Sequence, residues 1–429
     1  MKKLVLLSVV ASTMIMAGGD IAPVEAVVVP VAASAWDFSG QAVVYYQTIG
    51  QDSNDLFAQE SSAADVGLQL KAVNNDVFAG IGAGFTVNGL STLNLENSVV
   101  SGVMQLTGNP VAGNDIDDIT DGGWIAEAYL TYGMGNTSIK AGRQTLPKSL
   151  SPFAYSEDWN VFENTFDAIL LVNTDITNTT LVGAWIAGNN VNSMMMTNLT
   201  DFNSLNDDRG VYMLTAQNKS FENLTLTGSY YYGSEFITAD DINILWGDAQ
   251  YAASSFNVGV QGGTVMHDAM TDDIVAFGAK VGTTLAGINV AAAYSNVNDG
   301  GVAASVNEGG LPFAFGMFNI GGTTSALYTT TLVDQLFTSS LMTFDTDKYV
   351  INGNIDALGG NISALYAYTD MNSFNGSVNE FDLSYTTNLT DNFGIGATYA
   401  YINADINVED VLVADEDMNV VRVVARYKF

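Results

Sequence analysis

Few residues in this chain are equipped for covalent or metal chemistry. There is no cysteine, so there is no thiol nucleophile, no disulfide frame and no thiolate metal site. There is one histidine, His267, in TVMHDAMTDD and followed by Asp268. A nucleophile–histidine–acid triad has only that place to form, and a polar external loop explains the pair more simply. The stretch NDIDDITDGG carries Asp115, Asp117, Asp118 and Asp121. Calcium takes roughly six to eight oxygens, and these four are the metal candidates. Their spacing differs from a helix–loop–helix calcium loop, so a solvated acidic loop is the competing reading. No Gly-rich phosphate loop and no zinc pattern occurs. No catalytic constellation stands out, and an enzyme is not expected.

What remains is charge, and where it falls. Lys and Arg total 13 against 46 Asp and Glu, a formal net charge of −33. Such a balance repels a phosphate backbone and argues against nucleic acid as a partner. Charged residues are only 14% of the chain, about half the usual share. Each basic residue therefore needs a reason. Seven of them sit at alternate positions in apolar runs. Lys71 stands opposite Leu68, Leu70 and Ala72, and Lys140 opposite Ile139 and Ala141. Lys280 stands opposite Phe277, Ala279 and Val281, and Lys348 opposite Tyr349 and Ile351. In VVRVVARYKF, residues 420–429, Arg422, Arg426 and Lys428 share one face, while Val421, Val423, Ala425, Tyr427 and Phe429 share the other. Glu127, Asp356, Glu380 and Asp382 fall on the same register as the basic set.

The elements that must position these residues are strands. From Trp36 onward the dominant period is two. In LTLTGSYYY, Leu224, Leu226, Gly228, Tyr230 and Tyr232 lie opposite Thr225, Thr227 and Ser229. FGIGATYAY at 393–401 alternates likewise. WIAEAYLTY puts Trp124, Ala126, Ala128, Leu130 and Tyr132 opposite Ile125, Glu127, Tyr129 and Thr131. About 18 such segments follow, beginning near 36, 62, 76, 124, 136, 161, 178, 209, 222, 241, 254, 273, 285, 346, 361, 376, 391 and 418. The alternation breaks at 161–173 and 241–251. Connections alternate long and short. Short turns fall at 74–75, 134–135, 218–220, 358–360 and 388–390; long loops at 89–123, 146–160, 189–208, 296–345 and 404–417. Alternation with aromatic ends and this loop rhythm predicts an all-β, antiparallel transmembrane barrel. A charge on the lipid face costs about 2–4 kcal/mol at the midplane, so the basic residues should line the interior. So wide a barrel is not filled by side chains; its lumen must hold water, loops or both.

Lys2 and Lys3 precede the uncharged run Leu4–Ala17, which reads as an export signal, 1–17, with cleavage near Ala17. Residues 18–35 read as a periplasmic lead-in and 36–429 as one barrel domain. Beyond residue 17 no run of about 20 apolar residues occurs, so no spanning helix is expected.

AGRQTLP at 141–147, the signal MKKLVLLSVVASTMIMAGGD and the closing VARYKF resemble major outer-membrane porins of the Campylobacter-like (epsilon-class) bacteria and, more distantly, OprD-type channels. The resemblance implies an 18-stranded, usually trimeric, water-filled pore in the outer membrane. It implies that LPKSLSPFAYSEDWN at 146–160, the third of nine external loops, folds inward as a constriction, carrying Lys148, Glu157 and Asp158. Arg143, which breaks the register of its strand, is then either a constriction residue turned into the lumen or a rim arginine held by carboxylates. Calcium-bound relatives raise the question of a metal. Tyr427 and Phe429 resemble the signal read by barrel-assembly machinery. The leading functional expectation is passive diffusion of small hydrophilic solutes and ions with weak cation preference. The alternatives are a channel selective for small carboxylates or amino acids, and a surface or adhesion barrel with a plugged lumen.

Overall fold

The computed structural model describes residues 36–429 except 52–53, 108–120, 195–198, 237–239, 271, 301–315, 318, 338–342 and 409–410. The expected signal segment and lead-in lie outside the described residues. Nineteen strands are assigned. They are β1 (Asp37–Gly50), β2 (Ser62–Phe78), β3 (Ile81–Ser91), β4 (Gly122–Met134), β5 (Thr137–Gln144), β6 (Phe166–Asn173), β7 (Thr179–Asn189), β8 (Asn203–Ser204), β9 (Val211–Phe221) and β10 (Leu224–Gly233). There follow β11 (Ile242–Ala252), β12 (Phe256–His267), β13 (Ile274–Leu285), β14 (Ile288–Val297), β15 (Thr346–Ala357), β16 (Gly360–Met371), β17 (Gly376–Asn388), β18 (Phe393–Val408) and β19 (Val411–Lys428). One short helix, α1 (Leu332–Phe337), lies between β14 and β15.

Apart from the short β8, every strand pairs antiparallel with the next in sequence, β7 with β9, and β1 also pairs with β19, from Gln41↔Lys428 to Gly50↔Asn419. β8 pairs only with the end of β7, so the closed wall itself has 18 strands. Closure leaves no edge and satisfies each strand's backbone from its neighbours, as a hydrocarbon environment requires.

The period-two pattern becomes two faces. Outward Leu130, Leu214 and Ile351 are 57%, 59% and 58% exposed, whereas inward Thr86, Thr215 and Lys348 are at most 2% exposed. Phe38, Phe78, Tyr132 and Tyr427 are exposed at the turn end, Tyr212, Tyr230 and Tyr349 at the loop end. These rings form the girdles expected where a barrel meets the two interfaces. Several outward tyrosines are tied to the next strand: Tyr230 Oη donates to Asn243 at 2.7 Å, Tyr366 to Asn379 at 2.9 Å and Tyr399 to Asn419 at 2.6 Å.

Several expectations about the wall are corrected, the turn expected at 218–220 among them, which falls at 222–223. In β4 the expected register fails at its first residues. Thr86 pairs with Glu127 but Val87 pairs with Ile125. The extra residue, Ala126, is a bulge, which flips the strand beyond it. Trp124 and Ala126 are therefore buried inside and Ile125 is exposed outside. The turn expected at 74–75 falls at Ala79–Gly80, both with positive φ, the backbone of a tight hairpin turn. The long loop expected at 404–417 is instead a continuation of β18 and β19, paired from Ala404↔Glu416 up to Val408↔Val411.

Candidate lumen site

The loop-side half of the barrel is filled by two inward loops. Residues 145–165 leave β5 and cross the interior. Leu146, Leu150, Phe153 and Ala154 pack on inward apolar residues of β6 to β13, among them Ile186, Met213 and Trp246. Phe153 meets Tyr231 and Trp246 edge-to-face, with centroids 5.7 and 5.4 Å apart. On the opposite wall, Tyr45 Oη donates to Trp159 O at 3.0 Å. Arg426 donates from Nη1 to Val161 O at 2.9 Å and from Nη2 to Asn160 O at 2.6 Å. The loop is thus held at both ends of a lumen diameter. The 145–165 loop thus lies folded into the barrel.

The second inward segment runs from residue 316 to α1, and Glu157 clasps it. Glu157 Oε1 accepts Thr324 N at 2.9 Å, Thr324 Oγ1 at 2.6 Å and Asn319 Nδ2 at 3.1 Å. Its Oε2 accepts Trp159 Nε1 at 2.7 Å. Lys148 Nζ donates to Ser325 O at 2.6 Å. Of the three expected constriction residues, Glu157 and Lys148 therefore join loop to loop, and Asp158 lines an open cavity. Enclosure by protein pushes the Lys148 ammonium down to about 8, against the opposing pull of Glu157 and Asp334.

That space is a cavity of about 620 Å³ at the turn-side end, lined by Lys71, Glu127, Asp158, Glu163, Arg426 and Lys428 with Gln41, Gln69 and Thr86. Lys71 Nζ and Glu127 Oε2 pair at 2.8 Å, and Thr86 Oγ1 donates to the same oxygen at 2.7 Å. Gln41, Gln69 and Asn88 form a chain of side-chain hydrogen bonds across β1, β2 and β3, at 3.1 and 2.9 Å. Glu163 lines this cavity with its side chain exposed to it; the surrounding barrel wall first, then Asp158 and Glu127, push its carboxyl up to about 7.

The remaining inward residues are spent on the interior. Lys140 lies 3.8 Å over the Tyr129 ring. Lys280 donates to Gln250 Oε1 at 3.2 Å and stands over Tyr328. Lys348 pairs with Asp334 at 2.7 Å, both nearly inaccessible. Glu380 and Asp382 are buried beneath α1. Arg422 donates to Gln47 at 2.8 Å and Gln335 at 2.6 Å. Asp356 is exposed at the turn-side mouth, bonded to Asn361 at 2.8 Å.

Arg143 does not line the lumen. It pairs in register with Ala128 and Asp167, while its neighbours Gly142 and Gln144 take the inward positions. Its guanidinium makes a two-point ion pair with outward-facing Asp167, at 2.8 and 3.0 Å, and lies 3.2 Å from the Phe202 ring. Gly142 explains the local distortion. At φ +121°, a Cβ there would lie 2.2 Å from Ala128 O. Gln144, fully buried, gathers the carbonyls of Lys140, Gly142 and Ala168 on its Nε2. AGRQ is a strand irregularity with its own repair.

The other candidates separate. Asp115, Asp117 and Asp118 lie outside the described residues, and Asp121 is exposed. Among the described residues no group of three His, Asp or Glu side chains is placed to hold a metal ion. His267 braces its loop: Nδ1 accepts Ala269 N at 3.1 Å and Nε2 meets Phe236 O at 2.7 Å. Two inward groups were missed. Asp65, fully buried, accepts Met104 N and Gln105 N at 2.9 and 2.8 Å and anchors the 92–121 loop. Its shared register with Gln69 and Lys71 was the available signal. Glu163 had none, because it stands in a loop.

A closed 18-stranded wall, apolar outside and polar inside with loops folded into it, defines the class of transmembrane β-barrels. No protein-family model and no curated protein matches the chain. Among solved structures the barrel is similar to Pseudomonas aeruginosa OccK8 (OprE), with TM-score 0.66 and 15% identity over 92% of this chain and 98% of that one. It is also similar to P. aeruginosa OccK2 (OpdF) in complex with glucuronate, with TM-score 0.65 and 12% identity over 92% and 98%. Acinetobacter baumannii OccAB2 gives TM-score 0.63 and 15% identity over 92% and 98%. At these identities the likeness establishes the shared fold.

Proposed function

We propose that this barrel is an outer-membrane diffusion channel for small hydrophilic solutes and ions, not an enzyme. The observation that carries the reading is the lumen. It is lined by charge of both signs, narrowed by the 145–165 loop, and keeps a cavity of about 620 Å³ whose walls are Lys71, Glu127, Asp158, Glu163, Arg426 and Lys428. Opposed charges across a narrow passage order water and sort ions. The basic residues deeper in the lumen are bonded to carboxylates, glutamines or backbone carbonyls, so their pull on anions is blunted. A weak cation preference follows. Single-channel recording of the purified protein tests this: discrete steps with a cation-directed reversal potential in a salt gradient are expected. Silence after reconstitution would instead favour the plugged adhesion barrel.

A second reading, a channel selective for small carboxylates, draws on the likeness to a barrel solved in complex with glucuronate and on Arg426 and Lys428 beside the cavity. Block of the current by added carboxylates, with no block by matched sugars, would favour it. AGRQTLP and VARYKF favour the porins of Campylobacter-like bacteria within this fold. A homotrimer, export through residues 1–17, and recognition of Tyr427 and Phe429 by barrel-assembly machinery belong to the same proposal. Cross-linking and N-terminal sequencing of the mature protein test the first two.

A further inference from the structure

Aromatic rings in the wall lie on glycine in more than one place. Gly84 of β3 pairs with Tyr129 of β4, and the Tyr129 ring fills the space that a Cβ on Gly84 would take. The same device stands on the seam between β1 and β19. Gly40 N donates to Phe429 O at 2.9 Å, and Phe429 N donates to Gly40 O at 3.0 Å. This doubly bonded pair continues the β1–β19 ladder past Gln41↔Lys428. A Cβ on Gly40 would stand 2.7 and 2.8 Å from Cζ and Cε2 of the Phe429 ring, well inside the spacing of about 3.5–4.0 Å at which carbon atoms pack. The ring therefore rests on the backbone of β1.

The ring is supported from its own side too. Phe429 and Tyr427 share the outward register of β19 and stack with centroids 6.2 Å and planes 30° apart. Tyr427 in turn pairs with Phe393 of β18. Beyond Gly40 the floor of the seat is β2, because the same Cβ would also clash with Gln69 O. Outward aromatic contact thus runs from β18 through β19 and ends on the backbone of β1 and β2. A strand glycine has no side chain to pack, and a neighbouring ring laid across it restores that packing and pins the register. At Gly84 this happens between consecutive strands. At Gly40 it happens between the two strands whose pairing closes the wall.

We propose that Gly40 and Phe429 form a clasp that holds the barrel shut. The ring is the moving part, and the bare backbone of Gly40 is its seat. Phe429 then serves the finished wall itself. Its relation to the recognition by assembly machinery proposed above follows from geometry: a ring gripped by a partner cannot lie on Gly40, so the partner releases Phe429 as the seam forms. That succession rests on the recognition reading. The clasp itself requires neither it nor the channel reading.

The test follows closure directly. The chain has no cysteine, so Val44→Cys with Ala425→Cys, a pair facing across the seam, reports closure as a disulfide; directly paired strands supply the Cα spacing of about 5.5 Å that such a bond takes. Thr215→Cys with Ser229→Cys reports β9–β10 pairing in the same way. The full chain is refolded from urea into phosphatidylcholine vesicles that hold no assembly machinery. Phe429→Ala should slow the seam disulfide about tenfold, the effect of removing one half-covered ring, and leave the β9–β10 disulfide unchanged. Phe429→Tyr should restore the rate. Gly40→Ala should slow the seam as well. Combined with Phe429→Ala, its slowing should be less than the product of the two, because both changes remove one contact. If Gly40→Ala does not fold, the two Phe429 variants decide. A wild-type seam rate in Phe429→Ala, or equal slowing of both disulfides, overturns the clasp. Insertion of the same variant in cells separates the two readings of Phe429. A defect confined to cells leaves recognition and sinks the clasp; a defect confined to vesicles leaves the clasp and sinks recognition.

Discussion

Glu157 and Thr324, 167 residues apart in sequence, are joined by two hydrogen bonds of 2.9 and 2.6 Å from the Thr324 N–H and hydroxyl. Through them two loops that enter the lumen separately become one obstruction.

Glu157→Ala should separate these loops. Hydrogen bonds to a charged group contribute about 1.5–3 kcal/mol each, and the buried Trp159 and Asn319 donors would lose their acceptor as well. The wall does not depend on Glu157. Single-channel conductance should rise and the trace become noisier, while the temperature of barrel unfolding on a gel stays within a few degrees.

Lys71→Met removes the partner of Glu127. Losing one member of a buried pair costs about 3–5 kcal/mol, but Lys71 is 37% exposed, and screening reduces this to about 1–2 kcal/mol. The cavity then carries an extra negative charge. The reversal potential should shift toward cations; a shift toward anions would refute the assignment of this cavity to the conduction path.

Arg143→Ala separates two placements of the same residue. An arginine in the constriction would alter selectivity when removed. On the outer face it should leave conductance and reversal potential unchanged and cost about 1 kcal/mol, the value of a well-aligned exposed ion pair. Selectivity measured beside the heat-modified mobility shift decides the matter.

Cation preference should rise with pH in two steps. Glu163, held up to about 7, is protonated and neutral below that pH and gains its negative charge above it. Lys148, held down to about 8, loses its positive charge as pH rises past that value. Both changes make the lumen more negative. Glu163→Gln should abolish the lower step and Lys148→Met the upper one, read as reversal potential from pH 6 to 9.

Arg422 and Arg426 read from alternation as a charged pore lining. Their partners are Gln335 and the carbonyls of Asn160 and Val161. Arg426→Gln should therefore loosen the 145–165 loop and raise conductance, in addition to any change of selectivity.

The wall was largely legible because a lipid face and a lumen face impose period two on every strand. Even the segments at 161–173 and 241–251, where the pattern falters, contain β6 and β11. Two short turns were misplaced for one reason. Asn74 accepts Asp76 N at 3.0 Å, and Asn218 accepts Ser220 N at 3.0 Å. This is turn chemistry, used inside a strand at an irregularity in the ladder just before the true hairpin. Trp124 and Ala126 escaped because a single inserted residue has no period. Glu157 was recognised as part of an inward loop, but its partners at 319–324 are remote in sequence and leave no local trace.

The pairing of β1 with β19 has a consequence for assembly in time. Gln41 finds Lys428 only after every other strand has been laid down. Until then the growing sheet presents two raw edges, each a template for a foreign strand. Contacts of such sequence separation are slow to form. The order of the wall thus leaves the first strand without one of its partners until the last arrives, and a change in β1 is expected to slow assembly more than the same change in β10.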